Sequence, residues 1–248
     1  MSRNFDLMQE MERCRPVEGN RSVQVVLHAA NQEQNEIRYN SMSNDASLEL
    51  VQRIFLSRTD GRPRLVVFVG IEHGNGCSGT AASVADSLAE SARGRVCLVE
   101  ANFRSPGLPA LFGSTNHYGL TEALRENAPI RSIAKAVNNG RLWLLSSGSL
   151  AADSPNLLTS ERLKSRFAEL RAEFDFVIVD APPLTPYSDA IALGQLSDGV
   201  VLVLEAESTR REAATAAVDN LRAAQVEILG AVLNKRTFPI PEKIYRRL

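Results

Sequence analysis

The stretch Leu65-Val66-Val67-Phe68-Val69-Gly70-Ile71-Glu72-His73-Gly74-Asn75-Gly76-Cys77-Ser78-Gly79-Thr80, running on into Ala81 to Ala92, decides the fold. It opens with a continuous apolar run, passes through a glycine-rich turn and ends in a helix-forming segment. A continuous run, rather than an alternating one, is what a strand covered on both faces of its sheet requires. Working outward, the same pattern recurs. Apolar runs lie at Val96–Val99, Leu142–Leu145, Phe176–Val179, Gly199–Leu204 and Ile228–Leu233. Helical stretches such as Thr80–Ala92, Ser160–Glu173 and Thr209–Ala224 separate most of them. Strand-helix-strand repetition implies right-handed crossovers. The expectation is therefore an α/β fold, a doubly wound and mostly parallel β-sheet flanked by helices.

Residues 1–45 are polar and weakly patterned, with Asn31 to Asn44 rich in Asn, Gln, Ser and Glu. They read as a mobile N-terminal extension with a short helix around Phe5 to Arg13. Ser47 to Ser57 sets Leu48, Val51, Ile54 and Phe55 at helical spacing, a surface helix with one buried face. Residues 46–248 then read as one domain, without internal repeats. The 248 residues suffice for a sizeable core, and 44% hydrophobic with 23% charged residues is ordinary for a soluble protein. A formal net charge of −1 gives no electrostatic basis for nucleic-acid binding. Cys14, Cys77 and Cys97 are far apart and form no CxxC pair. That excludes a disulfide framework or zinc site as the organising idea and fits a reducing compartment. Met1 to Gly19 lacks the apolar core of a signal peptide, and no run approaches the roughly 20 residues that cross a bilayer. A cytoplasmic location follows, at most beside the inner face of a membrane through a partner.

In open α/β sheets, ligands bind beyond the carboxyl ends of the strands. The turn from Gly70 to Thr80 lies at such an end. Its glycines let backbone N–H groups converge on an anion, and the following helix adds its dipole. The ordinary P-loop pattern then wants a lysine for the phosphates and a Ser or Thr hydroxyl for Mg²⁺. Here Cys77 stands at the lysine position and Ser78 keeps the hydroxyl, so Gly74, Asn75, Gly76, Cys77, Ser78 and Gly79 are the candidate nucleotide-binding residues. A purely structural turn reads the same way. Two further segments weigh against that alternative: one strand runs into Glu100-Ala101-Asn102-Phe103-Arg104-Ser105-Pro106 and another into Asp180-Ala181-Pro182-Pro183. An acid at a strand end beside a phosphate loop is placed to hold Mg²⁺ directly or through water. The competing reading of Asp180 is a cap on the next turn.

From about Ser47 to Leu248 the chain resembles the bacterial tyrosine autokinases of capsule and exopolysaccharide synthesis, within the deviant Walker-A P-loop ATPases. The resemblance rests on Gly74-Asn75-Gly76-Cys77-Ser78 (the family has lysine where Cys77 stands) and on Glu100 to Pro106, against a family pattern Asp-x-Asp-x-Arg-x-Pro. It rests also on Asp180-Ala181-Pro182-Pro183 with Asp189 beyond, and on Leu111-Phe112-Gly113 and Gly119-Leu120. The resemblance implies ATP/ADP and Mg²⁺ as cofactors. Ser78 and Asp180 would hold the metal, with Glu100, Asn102 and Asp180 as catalytic residues. Asn234 is similar to an adenine-reading asparagine, although a strand-end turn residue looks the same; Arg236, just beyond it, joins the nucleotide-binding set. The implied partner is a membrane polysaccharide co-polymerase or chain-length determinant, with homo-oligomers and no nucleic acid. Glu49 and Arg53 partly match a subunit-contact helix and equally form an i, i+4 ion pair.

Three departures point one way. Cys77 removes a positive charge worth on the order of a few kcal/mol beside a phosphate, and losing ~3 kcal/mol from a transition state slows chemistry more than about a hundredfold. Gly79 replaces a threonine, Glu100 replaces an aspartate, and Asn102 replaces a carboxylate with an amide that cannot act as a base. The chain has four tyrosines, Tyr39, Tyr118, Tyr187 and Tyr245, and only the last lies near the end, where the family has a tyrosine-rich tail; Thr237 to Tyr245 reads as an ordered or docking segment. Arg104, Lys135, Lys235, Arg236 or a neighbouring subunit's arginine are the candidate replacement charges. Cys77, at a helix N-terminus, reads either as a redox-sensitive thiol of lowered pKa or as a small loop filler. His73 reads as a surface residue of the loop and Trp143 as core. The functional expectation is an ATP/ADP-binding tyrosine-autokinase-like regulator of exopolysaccharide chain length or export, its activity weak or lost. Two alternatives stand beside it: a pseudokinase scaffold for the co-polymerase, and a partition- or division-type ATPase.

Overall fold

The computed structural model describes residues 24–29, 44–56, 61–151, 154–185 and 187–236. Among them eight strands form one sheet: β1 (Gln24–Ala29), β2 (Leu65–Gly70), β3 (Val96–Glu100), β4 (Lys135–Val137), β5 (Leu142–Leu145), β6 (Phe176–Asp180), β7 (Gly199–Glu205) and β8 (Ile228–Arg236). Their order is β1-β8-β7-β2-β6-β3-β5-β4, and every neighbouring pair is parallel except β4 with β5. All six apolar runs singled out in the sequence are strands of the parallel part. The helices are α1 (Asn44–Val51), α2 (Cys77–Ser91), α3 (Leu108–Leu111), α4 (Leu120–Arg125), α5 (Ile130–Ile133), α6 (Glu161–Glu173), α7 (Asp189–Gln195) and α8 (Arg211–Ala223).

Two cores flank the sheet because successive strand residues face opposite ways. Val66 and Phe68 pack under α1 and α2, against Leu50, Val51, Val84 and Leu88. Leu65, Val67 and Val69 face the other layer, with Leu163, Phe167, Leu193 and Leu221 from α6, α7 and α8. All six residues of β2 are buried, as a strand covered on both faces demands. Successive strands are added on opposite sides of the β2–β6 pair, toward β3 on one side and β7 on the other, so the carboxyl ends of β2, β6 and β3 open together at a topological switch point. No helix of the described residues is long and apolar enough to cross a membrane.

Three features differ from the sequence expectation. Gln24–Ala29, inside the segment read as an unstructured extension, is a strand paired in parallel with β8. The helix expected over Ser47–Ser57 starts earlier, at Asn44, and widens into a π-helical turn over Gln52–Leu56. The buried face also differs: Leu50 is fully buried while Leu48 is exposed. The Glu49–Arg53 ion pair forms at 2.6 Å on its surface. The helix around Phe5 to Arg13, Tyr39 and the Thr237 to Tyr245 segment lie outside the described residues.

Candidate nucleotide-binding site

The glycine turn after β2 is built on two left-handed residues, Gly74 at φ 86° and Gly76 at φ 80°, conformations that a Cβ disfavours. Gly76 is constrained twice, because a Cβ there would collide with the Asn234 amide nitrogen. The buried Asn75 side chain accepts the Glu72 N–H at 2.7 Å and closes the turn. Helix α2 follows at once, with the Thr80 N–H and hydroxyl both donating to the Gly76 carbonyl, at 3.0 and 2.9 Å. The N–H groups of Cys77, Ser78 and Gly79 thus belong to an open first helical turn, where backbone donors and dipole favour an anion. Gly76→Ala is expected to destabilise the protein by about 1–3 kcal/mol in denaturant titration; an unshifted midpoint would mean that the loop does not depend on this geometry.

Below the turn, Glu100 and Asp180 are register partners at the ends of β3 and β6, both 0% exposed. One Glu100 oxygen, Oε2, accepts the N–H groups of Gly107 and Leu108 at 2.9 and 2.7 Å, at the start of α3; an aspartate would fall one methylene short of them. The other oxygen, Oε1, and both oxygens of Asp180 have no hydrogen-bond partner among the described residues. Three orphaned acceptors buried together are costly, and a divalent cation would relieve all three, so the residues present fit one. No group of three His, Cys, Asp or Glu side chains among the described residues is arranged to hold a metal, so phosphate and water would complete the coordination, as is usual for Mg²⁺.

Burial pushes the Asp180 carboxyl from 3.8 up to about 6, with the Ser78, Cys77 and Glu100 side chains offsetting part of the rise. Burial, and secondarily the charge of Asp180, raises Glu100 well above the usual carboxylate range. The Cys77 thiol is also pushed up, first by burial and then by Asp180. This speaks against the alternative of a lowered, redox-sensitive thiol, because burial and then the neighbouring acids both favour the protonated form. Iodoacetamide is accordingly expected to alkylate Cys77 at least about tenfold more slowly than a free thiol at pH 7.5, read by peptide mass spectrometry. An equal rate would contradict the assigned environment.

The remaining candidates gather around this centre in different ways. Asn102 is buried, and its side-chain carbonyl accepts the Ser105 N–H at 3.2 Å, so it shapes its own turn. Asn234, at the end of β8, donates its amide to the Asn75 carbonyl at 2.9 Å, leaving Oδ1 buried and unpartnered. Arg236 lies two residues further along the same strand. Lys135 opens the antiparallel edge strand β4 and donates to the Thr115 hydroxyl and carbonyl. Arg104 bonds Asp189 at 3.2 Å and stacks over the Tyr187 ring at 4.3 Å, while His73 meets the same ring edge-on at 5.9 Å. Tyr187 therefore joins the phosphate turn, the loop after β3 and the loop after β6. In the sequence Tyr187 stands out only as one of four tyrosines, although it lies two residues before Asp189.

A parallel strand, a glycine turn, an open helix start and two strand-end acids at a switch point are the architecture of P-loop ATPases. No family model matches the chain. Tyrosine-protein kinase YwqD of Bacillus subtilis is 30% identical over 194 residues, 78% of this chain and 81% of that protein. Succinoglycan biosynthesis transport protein ExoP of Rhizobium meliloti is 29% identical over 175 residues, 69% of this chain but 22% of ExoP. The kinase domain of Escherichia coli tyrosine kinase ETK superposes with a TM-score of 0.74 at 22% identity, over 80% of this chain and 79% of that one, a likeness of fold. The chain belongs to the bacterial tyrosine-protein kinase family of capsule and exopolysaccharide biosynthesis.

Proposed function

We propose that this protein binds ATP or ADP with Mg²⁺ at the turn between β2 and α2 and regulates exopolysaccharide chain length or export, with phosphoryl transfer weakened or lost. The reading rests on one observation above others: three orphaned carboxylate oxygens buried beneath a phosphate-type turn. The backbone of Gly74 to Gly79 would bind the phosphates. Ser78 and Asp180 would hold the cation, which when bound neutralises phosphate charge. Asn234 Oδ1 would accept from the adenine amino group, and Arg236 would flank the nucleotide. Asn102 cannot take a proton from an attacking hydroxyl, which removes one candidate base from the site. Cys77 offers neither charge nor reach toward phosphate, and that favours a nucleotide-responsive pseudokinase over an efficient enzyme. The partner would be a membrane polysaccharide co-polymerase engaged from the cytoplasmic side, by single or assembled copies.

Asp180→Ala is expected to weaken Mg-nucleotide binding at least about tenfold while leaving metal-free nucleotide binding nearly unchanged, because it removes a metal ligand. Isothermal titration with Mg-ADP, with and without EDTA, reads this. Equal Mg-ADP affinity in the variant and the native protein would remove Asp180 from the metal site.

A further inference from the structure

Lys235 is the cation that the structure brings to the phosphate turn. Its ammonium donates to the Gly74 carbonyl at 2.6 Å and pairs with Glu205 at 3.1 Å. Its Cε lies 3.9 Å from where a Cβ of Gly76 would stand. The backbone of Lys235 is left-handed, at φ 55°, a conformation uncommon outside glycine and asparagine. It follows Asn234, whose amide ties Asn75, so the end of β8 grips the turn at two successive residues. Of the other candidates named from the sequence, Arg104 is engaged with Asp189 and Tyr187 and Lys135 with Thr115, while Arg236 lies one residue beyond Lys235 on β8. An ammonium has three donors. The turn and Glu205 take two, which leaves one for an anion.

We infer that Lys235 supplies, from β8, the positive charge beside bound phosphate that Cys77 fails to supply from α2. This rests on the reading of the turn as a nucleotide site and identifies the residue that keeps it workable. The side chain is about half exposed, at 47%, so it can leave Glu205 for a phosphate oxygen with little loss, because a surface ion pair is worth at most about 1 kcal/mol.

The test is a double-mutant cycle read by calorimetric titration with Mg-ADP, using native protein, Lys235→Gln, Cys77→Lys and the double variant. Glutamine keeps a donor for the Gly74 carbonyl but removes the charge, which separates an electrostatic role from a purely structural one. Lys235→Gln is expected to raise Kd about tenfold in the native background and less than about threefold beside Cys77→Lys, since one cation then replaces the other. Raising the salt concentration should weaken Lys235→Gln less than the native protein. Equal losses in both backgrounds would assign Lys235 to shaping the turn and overturn the inference, as would no loss in either. Binding by Cys77→Lys but not by native protein would show that Lys235 does not compensate. Silence from both would instead remove the nucleotide reading beneath it.

Discussion

Cys77→Lys is expected to tighten Mg-ADP binding about thirtyfold and to raise the thermal midpoint of the ligand-free protein at pH 7.5. Position 77 opens α2 beside Asp180, in a pocket whose nearest titratable groups, Asp180 and Glu100, are both acids. A lysine there adds an ammonium facing the phosphates. At an effective dielectric of about 20, even a partly solvated pair at several ångströms yields roughly 2 kcal/mol, which corresponds to the thirtyfold gain. The stability gain has a separate cause: in the ligand-free protein the same ammonium neutralises Asp180 and relieves part of its burial cost. ATP turnover, read by phosphate release, should rise in the variant if the two acids are otherwise competent, and stay flat if Asn102 is what blocks it. A folded Cys77→Lys protein with unchanged Kd and unchanged midpoint would show that the side chain at 77 does not face this centre.

Asp180→Asn is expected to stabilise the ligand-free protein at pH 7.5 while damaging the site. The Asp180 carboxyl rises from 3.8 to about 6 through burial. Between those values the folded chain holds a proton that the unfolded chain has released, so stability falls as pH rises through this window. Above about pH 6 the whole penalty remains, on the order of 3 kcal/mol. Asparagine carries no such penalty, so its advantage should be largest at pH 7.5 and vanish below about pH 4. Differential scanning calorimetry should give a midpoint roughly 5–10 °C higher for the variant at neutral pH. Mg²⁺ should raise the native midpoint and leave the variant's unchanged. A variant less stable than native at pH 7.5 would mean that a neighbouring donor or cation compensates the carboxylate in the ligand-free protein.

The parallel core was legible in the sequence because a strand buried on both faces must be continuously apolar, and six runs announced it. The two edge strands were not. Lys135–Val137 is only three residues long and has an exposed face; its signal lay in the turn that follows, where Asn138, Asn139 and Gly140 all take positive φ. Gln24–Ala29 holds only the short apolar run Val25-Val26-Leu27 inside polar, weakly patterned sequence, so it did not stand out as a strand. In the site, the strand-end acids and the glycine turn were readable from order along the chain. The direct pairing of Glu100 with Asp180, and the convergence of Arg104, His73 and Tyr187, depend on strand order, which a single sequence does not display. The same holds for Lys235: nothing in Leu233-Asn234-Lys235 indicates that a left-handed residue turns its ammonium onto a loop 161 positions earlier.

The central claim is that the turn between β2 and α2 remains a nucleotide site despite Cys77. Calorimetric titration of native protein with Mg-ADP, repeated in EDTA, tests it most directly. Binding should be micromolar and weaken at least about tenfold when the metal is removed, because the phosphates then lose the cation that joins them to Asp180. No heat of binding from a folded native protein at millimolar Mg-ADP would contradict it, and would leave a scaffold that binds its partner through the fold alone.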